Sequence, residues 1–236
     1  MKNSLSVIIP FFNEEKVIDK VYLKIKESLK LSKIYDYELI FIDDCSKDDG
    51  YKKIKKATYK NSRVKLIYNE LNLGFAKSLK KGFYISKKNY IHFVPGDDEH
   101  PVDGLTKIYK RLGKHDIIIP YPINTTVRPL LRRILSYIFT KITNLLFFMN
   151  IPYYNGLVLY KSAILKKNLQ NINNNSFGFL SELLILIIKK ESPKLCFISY
   201  RIIKSKGKSK ALKVKNIFYT IFGLIKFRLN TLFKNA

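Results

Sequence analysis

Three short clusters carry most of the chemistry this sequence can offer: Asn13-Glu14, Asp43-Asp44 and Asp97-Asp98-Glu99. A carboxylate accepts hydrogen bonds from a base N–H or a ribose hydroxyl. A hard cation such as Mg2+ or Mn2+ takes oxygen ligands from one or two carboxylates together with substrate phosphates. Asp97, Asp98 and Glu99 follow directly on the apolar run Tyr90–Val94, so a cation and diphosphate site in that loop is one reading and a merely solvated acidic loop is the other. No Ser-His-Asp or Cys-His arrangement is evident. His92 lies inside an apolar run and reads as a core or pocket-wall residue, His100 precedes Pro101 at a helix start, and His115 reads as surface. Cys45 and Cys196 have neither metal-ligand spacing nor a pairing pattern, which points to reduced thiols.

The elements that must position these groups alternate in type. Leu5–Ile9, Glu38–Ile42, Val64–Tyr68, Tyr90–Val94 and Asp116–Ile119 are rich in β-branched and aromatic residues and are expected to be strands. Between the first two, Val17, Ile18, Val21, Tyr22, Ile25 and Leu29 form an apolar helical stripe with lysines opposite. Strand and helix in alternation predict an α/β fold with a mostly parallel sheet flanked by helices. In such sheets ligands bind beyond the carboxyl ends of the strands, which is where all three clusters fall.

The second half has a different texture. Arg128, Arg132 and Arg133 open a predicted helix whose apolar positions are Leu131, Leu135, Ile138, Ile142, Leu145 and Met149. The uncharged stretch Ile142–Tyr160 contains Asn144, Asn150, Pro152 and the turn pair Asn155-Gly156, which excludes a spanning helix. Near the C-terminus, Val214, Ile217, Phe218, Ile221, Phe222, Ile225 and Leu229 make a second apolar face among lysines. Two basic amphipathic helices suggest attachment to an anionic membrane surface; packing of both on the sheet is the alternative. The 236 residues carry 44 Lys+Arg against 18 Asp+Glu, a formal charge of +26. That balance attracts polyanions, whether lipid, nucleic acid or phosphorylated substrate. The 16 Tyr and 16 Phe fall at core and helix-face spacing and form no RNA-stacking signature, so no nucleic acid is expected as partner. Leu5–Ile9 is too short for a secretory leader, and a cytoplasmic location is expected.

The arrangement as a whole resembles the inverting family-2 glycosyltransferases of GT-A fold, in particular the dolichol-phosphate mannose synthase-like branch. Leu5-Ser6-Val7-Ile8-Ile9-Pro10-Phe11-Phe12-Asn13-Glu14-Glu15 is similar to the family's first strand and turn, with Phe12 at a usual tyrosine. Phe41-Ile42-Asp43-Asp44 is similar to its paired-aspartate element, followed by Cys45 at a usual glycine. Asn72-Leu73-Gly74-Phe75-Ala76 resembles its Asn-Leu-Gly helix start. The resemblance implies that Pro10, Phe12, Glu14, Asp43, Asp44 and Gly74 serve nucleotide-sugar binding.

The family's Asp-x-Asp followed by Leu-Gln-His-Pro becomes Pro95-Gly96-Asp97-Asp98-Glu99-His100-Pro101, so Pro95 replaces the first aspartate and Glu99 the glutamine. The resemblance makes Asp97 the first metal ligand and a catalytic residue, Glu99 a second ligand, and Asp98 a weaker donor-binding candidate. Gly207-Lys208-Ser209-Lys210 resembles a Gly-x-Ser-Lys loop that closes on the diphosphate, with Lys204 at a usual arginine. Glu182 matches a family glutamate whose role depends on the acceptor: a hydroxyl acceptor needs a general base and a lipid phosphate needs none. Glu182 is thus a base, a structural carboxylate or an acceptor-positioning group.

These expectations combine into residues 1–125 as a nucleotide-sugar-binding GT-A core and 126–236 as the acceptor-side and membrane-surface portion of the same catalytic unit. The expected activity is inverting transfer of a sugar from a UDP- or GDP-sugar, with Mg2+ or Mn2+, to a polyprenyl phosphate at the inner face of the membrane. The alternatives are a saccharide acceptor in cell-surface polysaccharide synthesis and a non-enzymatic, basic nucleic-acid or membrane-binding protein.

Overall fold

The structure, a computed structural model, describes residues 3–176, 178–204, 223–225, 227 and 228. A seven-stranded sheet organises them. In chain order its strands are β1 (Ser4–Phe11), β2 (Asp36–Asp43), β3 (Val64–Tyr68), β4 (Tyr90–Phe93), β5 (Ile117–Pro122), β6 (Leu159–Lys161) and β7 (Leu195–Tyr200). Across the sheet they run β3-β2-β1-β4-β6-β5-β7. All neighbours are parallel except β6, which is antiparallel to β4 and to β5. The helices are α1 (Ile18–Leu31), α2 (Gly50–Ala57), α3 (Phe75–Ile85), α4 (Val102–Tyr109), α5 (Leu130–Phe147), α6 (Ser162–Leu169) and α7 (Phe179–Glu191). This is the α/β, GT-A-type architecture expected, and the five predicted strands appear, β3 with the predicted ends and the other four with shifted ones. Residues 126–204 complete the sheet by supplying β6 and β7.

The core follows from the side chains. Leu5, Val7, Ile8 and Ile9 of β1 and Leu39, Ile40, Phe41 and Ile42 of β2 are fully buried, as strands covered on both faces require. The α1 stripe Ile18, Val21, Tyr22, Ile25 and Leu29 is buried as its spacing predicts. His92 is a core residue: it lies between the Tyr109 hydroxyl and the Leu157 carbonyl, and burial pushes its imidazole down to about 3.

Helix α5 is amphipathic in an uneven way. Of its residues Phe139, Thr143 and Phe147 are buried, whereas Leu130, Leu131, Tyr137 and Leu145 are well exposed, as is Phe148 at its end. Among the described residues no helix is long and apolar enough to cross a membrane. The predicted C-terminal helix lies mostly outside the described residues. Of it, Phe227 sets its ring 6.0 Å from that of Phe147, Arg228 lies over Phe147 and Phe148, and Leu224 is buried.

Candidate active site

The carboxyl ends of β1, β2 and β4 are tied into one surface. Asp44 N–H donates to Phe11 O at 3.0 Å, and Gly96 N–H donates to Pro10 O at 3.1 Å. Gly96 is required by close approach, because a Cβ there would stand 2.6 Å from Phe11 Cβ. Pro10, Phe12 and Glu14 therefore lie between the paired aspartates and the acidic loop. Pro10 is buried, and Phe12 and Glu14 are half-buried. The Glu14 carbonyl receives the N–H groups of Val17 and Ile18 and starts α1.

The two adjacent aspartates do different work. Asp44 is saturated: its Oδ1 receives Leu73 N–H at 2.9 Å, Ser78 Oγ at 2.9 Å and Asn69 Nδ2 at 3.1 Å, and its Oδ2 receives Gly74 N–H at 2.8 Å. It anchors the Asn72-Leu73-Gly74 turn, where Gly74 adopts a φ of 85° that favours glycine. Asp43 accepts Ser46 N–H on Oδ1 at 2.9 Å, while its Oδ2 is buried with no hydrogen-bond partner among the described residues. Burial pushes the Asp43 carboxyl up from its ordinary value. A buried acceptor without a donor is costly to leave unmade.

In the loop after β4 the three acidic residues also part company. Asp98, at a φ of 60°, turns to Lys24 of α1 with Nζ to Oδ1 at 2.6 Å. Asp97 lies deep in the loop; burial, and then the charge of Glu99, push its carboxyl up to about 6. Glu99 is clamped: its Oε1 receives Arg128 Nε at 2.7 Å and its Oε2 faces an Arg132 nitrogen at 3.8 Å. Burial alone would raise the Glu99 carboxyl, but the Arg128 hydrogen bond and charge override it and hold it below its usual range. Arg128 also donates to the Tyr153 hydroxyl at 3.0 Å. His100 is buried, with Nδ1 3.2 Å from the Tyr200 hydroxyl, and burial pushes it down to about 4.

Ligand atoms of Asp97, Glu99 and His100 all lie within 4.8 Å of one another. Two carboxylates and an imidazole form a donor set chemically suited to a divalent cation that also takes phosphate oxygens. The sequence offered no reason to add His100 or Arg128 to this group. The His-Pro pair read as a helix start, and Arg128 reaches Glu99 from the head of α5. The chain after β7 returns to the same place: Ile203 N–H donates to Glu99 O at 3.0 Å, which sets the exposed Lys204 beside the acidic loop. Ser209 and Lys210 lie outside the described residues.

Glu182 belongs to a separate group. At the start of α7 it receives Asn174 Nδ2 at 2.6 Å, and burial pushes its carboxyl up. Lys80 is tied nearby to the carbonyls of Ile172 and Asn174, and Gly223 passes over Glu182 Oε1.

The family model described as "Glycosyl transferase family 2" matches residues 6–169. The dolichol-phosphate mannosyltransferase of Saccharomyces cerevisiae is 24% identical over 200 residues, covering 83% of this chain and 75% of that protein. The dolichyl-phosphate beta-glucosyltransferase of Dictyostelium discoideum is 31% identical over 99 residues, covering 39% of this chain and 30% of that one, so the chain spans much less than the whole of that relative. Among solved structures, Staphylococcus aureus TarS in complex with UDP-GlcNAc shares the fold with a TM-score of 0.64 at 18% identity, over 95% of this chain and 66% of that one. Glucosyl-3-phosphoglycerate synthase of Mycobacterium tuberculosis, in complex with Mg2+ and UDP, does so with a TM-score of 0.66 at 14% identity, over 97% and 79%.

Proposed function

The chain belongs to glycosyl transferase family 2, and from that premise we propose that it moves a sugar, with inversion, from a nucleoside diphosphate sugar to a polyprenyl phosphate at a membrane surface. The observation that carries the donor half is the unpartnered Oδ2 of Asp43 at the seam joined to the acidic loop. A nucleobase N–H supplies the missing donor, and the ribose and phosphates then run along Pro10, Phe12 and Glu14 toward Asp97. Gly74, fixed by Asp44, shapes the wall on the far side of Asp43, and Asp98 stays with Lys24.

Asp97 heads the residues that would hold a divalent cation, with Glu99 and His100 as the other donors in reach. When bound, such an ion supplies positive charge to the donor's two phosphates. Lys204 offers further positive charge from the chain beside Glu99, and Ser209 and Lys210 are assigned to the same task. A phosphate oxygen of the acceptor forms a bond to the anomeric carbon on the face opposite the diphosphate. The bond from that carbon to the diphosphate oxygen breaks, and its electron pair leaves with the diphosphate. A phosphate acceptor is already ionised, so no base is needed.

The acceptor half is supported by α5, which exposes Leu130, Leu131, Tyr137 and Leu145 together with Lys141, a composition suited to an anionic leaflet. Two relatives are named for dolichol-linked phosphates. The test is transfer of radiolabel from UDP- and GDP-sugars into organic-extractable product, with polyprenyl phosphate and either Mn2+ or EDTA. Label in the organic phase that vanishes with EDTA supports the reading. Donor binding with no labelled lipid shifts it to a saccharide acceptor, a second reading favoured by the raised carboxyl of Glu182, which suits a general base.

A further inference from the structure

The metal loop of this chain lacks one aspartate of the pattern it resembles, because Pro95 has no side-chain ligand atom, and the clamp on Glu99 removes a second side-chain donor. Both Glu99 oxygens face guanidinium groups, Arg128 Nε at 2.7 Å and an Arg132 nitrogen at 3.8 Å, and the Glu99 and Arg128 side chains are 7% and 9% exposed. Arg128 is itself fixed by Tyr153. A dication placed on Glu99 would have to displace a buried cationic partner or sit against it, and both are unfavourable. Asp97 and His100 remain.

His100 is built for the task. Its ring is buried next to the Tyr200 ring, at 5.9 Å between centroids, and its Nδ1 lies 3.2 Å from the Tyr200 hydroxyl. In the tautomer whose Nδ1–H donates to the Tyr200 hydroxyl, the Nε2 lone pair stays available to a metal, and that contact holds the ring orientation. The ligand atoms of Asp97 and His100 are no more than 4.8 Å apart. Two ligands at about 2.1 Å from one ion span at most about 4.2 Å, so an adjustment of a few tenths of an ångström closes any difference.

We propose that His100 is a ligand to the divalent cation together with Asp97, and that Glu99 is a positioning residue that holds Arg128 at the head of α5. This deepens the donor-binding reading above and rests on it. A nitrogen in the ligand set moves preference away from Mg2+, whose sites are built from oxygen, and toward Mn2+.

The test is pulsed electron paramagnetic resonance on the full chain with Mn2+ and UDP, comparing protein grown with ordinary and with 15N-labelled histidine. Directly bound imidazole gives a nitrogen coupling that changes on labelling, and this measurement needs no variant. His100→Gln is expected to lose the coupling and to weaken Mn2+ binding at least about tenfold, while Glu99→Gln, although it strands the Arg128 charge beside the site, keeps the histidine coupling of the Mn2+ that binds. Tyr200→Phe weakens binding about tenfold by freeing the ring. Bound Mn2+ without histidine coupling overturns the proposal, as does Glu99→Gln losing the ion while His100→Gln retains it. Failure of Mn2+ to bind at all, with UDP seen to bind, overturns both this proposal and the metal component of the donor site.

Discussion

Glu99 and Arg128 share a hydrogen bond of 2.7 Å between side chains that are each less than a tenth exposed. One buried ion pair therefore fastens the acidic loop after β4 to the head of α5. Removing one partner leaves the other charge buried and alone, which costs about 3 kcal/mol, whereas removing both leaves no stranded charge. Arg128→Gln should lower stability by about that amount, and the Glu99→Gln/Arg128→Gln double variant by about 1 kcal/mol or less. A double-mutant cycle in urea denaturation measures the difference.

Asp43→Asn should weaken UDP or GDP binding by about 10- to 100-fold, because a hydrogen bond to a charged group contributes about 1.5–3 kcal/mol. An amide that keeps its oxygen on Ser46 N–H turns its NH2 toward the ligand, donor against donor. Titration calorimetry with the free nucleotides reads the loss, and unchanged affinity would remove Asp43 from the base site.

Asp97→Asn should stabilise the metal-free protein at pH 7.5 by about 1 kcal/mol while weakening Mn2+ binding. The Asp97 carboxyl titrates near 6 in the folded chain against 3.8 ordinarily, because burial disfavours its charge. Between those values the folded state holds the proton and the unfolded state has lost it. Asp97's contribution to stability therefore falls as pH rises from about 4 to 6 and stays low above. Thermal melts of parent and variant across that window should diverge as pH rises and run parallel beyond it.

Gly96→Ala should cost about 1–3 kcal/mol, because its Cβ would meet Phe11 Cβ at 2.6 Å and Ile18 Cδ1 at 3.1 Å. The same substitution lifts the acidic loop from β1, so Mn2+ affinity should fall in parallel with the melting temperature.

Leu131→Glu with Leu145→Glu should reduce sedimentation with vesicles of anionic phospholipid by about tenfold or more while leaving the melting temperature near that of the parent. Both side chains are more than half exposed, so neither supports the core. Unchanged vesicle binding would place the contact elsewhere.

Much of the frame was legible in the sequence, because β-branched runs such as Leu5–Ile9 and the α1 stripe report burial through their own periodicity. Strand β6 was not. It follows on an uncharged stretch that also holds the end of α5, and what makes Tyr160 a strand residue is the pair of edges it meets, with Ile91 of β4 on one side and Ile117 of β5 on the other. The paired aspartates were visible as a pair. That Asp44 is consumed by Gly74 and its turn while Asp43 keeps a free oxygen depends on a loop some thirty residues later. The resemblance to the family's motif places Glu99 on the metal side; only tertiary structure brings Arg128 to it.

The antiparallel β6 between β4 and β5 also sets an order of assembly. Strands β1 to β4 pair among themselves over the first part of the chain, but the outer edge of β4 has no partner until Tyr160 and Lys161 are made. At about 5–20 residues per second, a ribosome takes several seconds to cover that interval. During it the nascent chain presents an apolar edge at Tyr90 and Ile91, a template for pairing with another chain. Refolding yield should therefore fall with protein concentration, and the vulnerable species is a half-built sheet waiting for three residues.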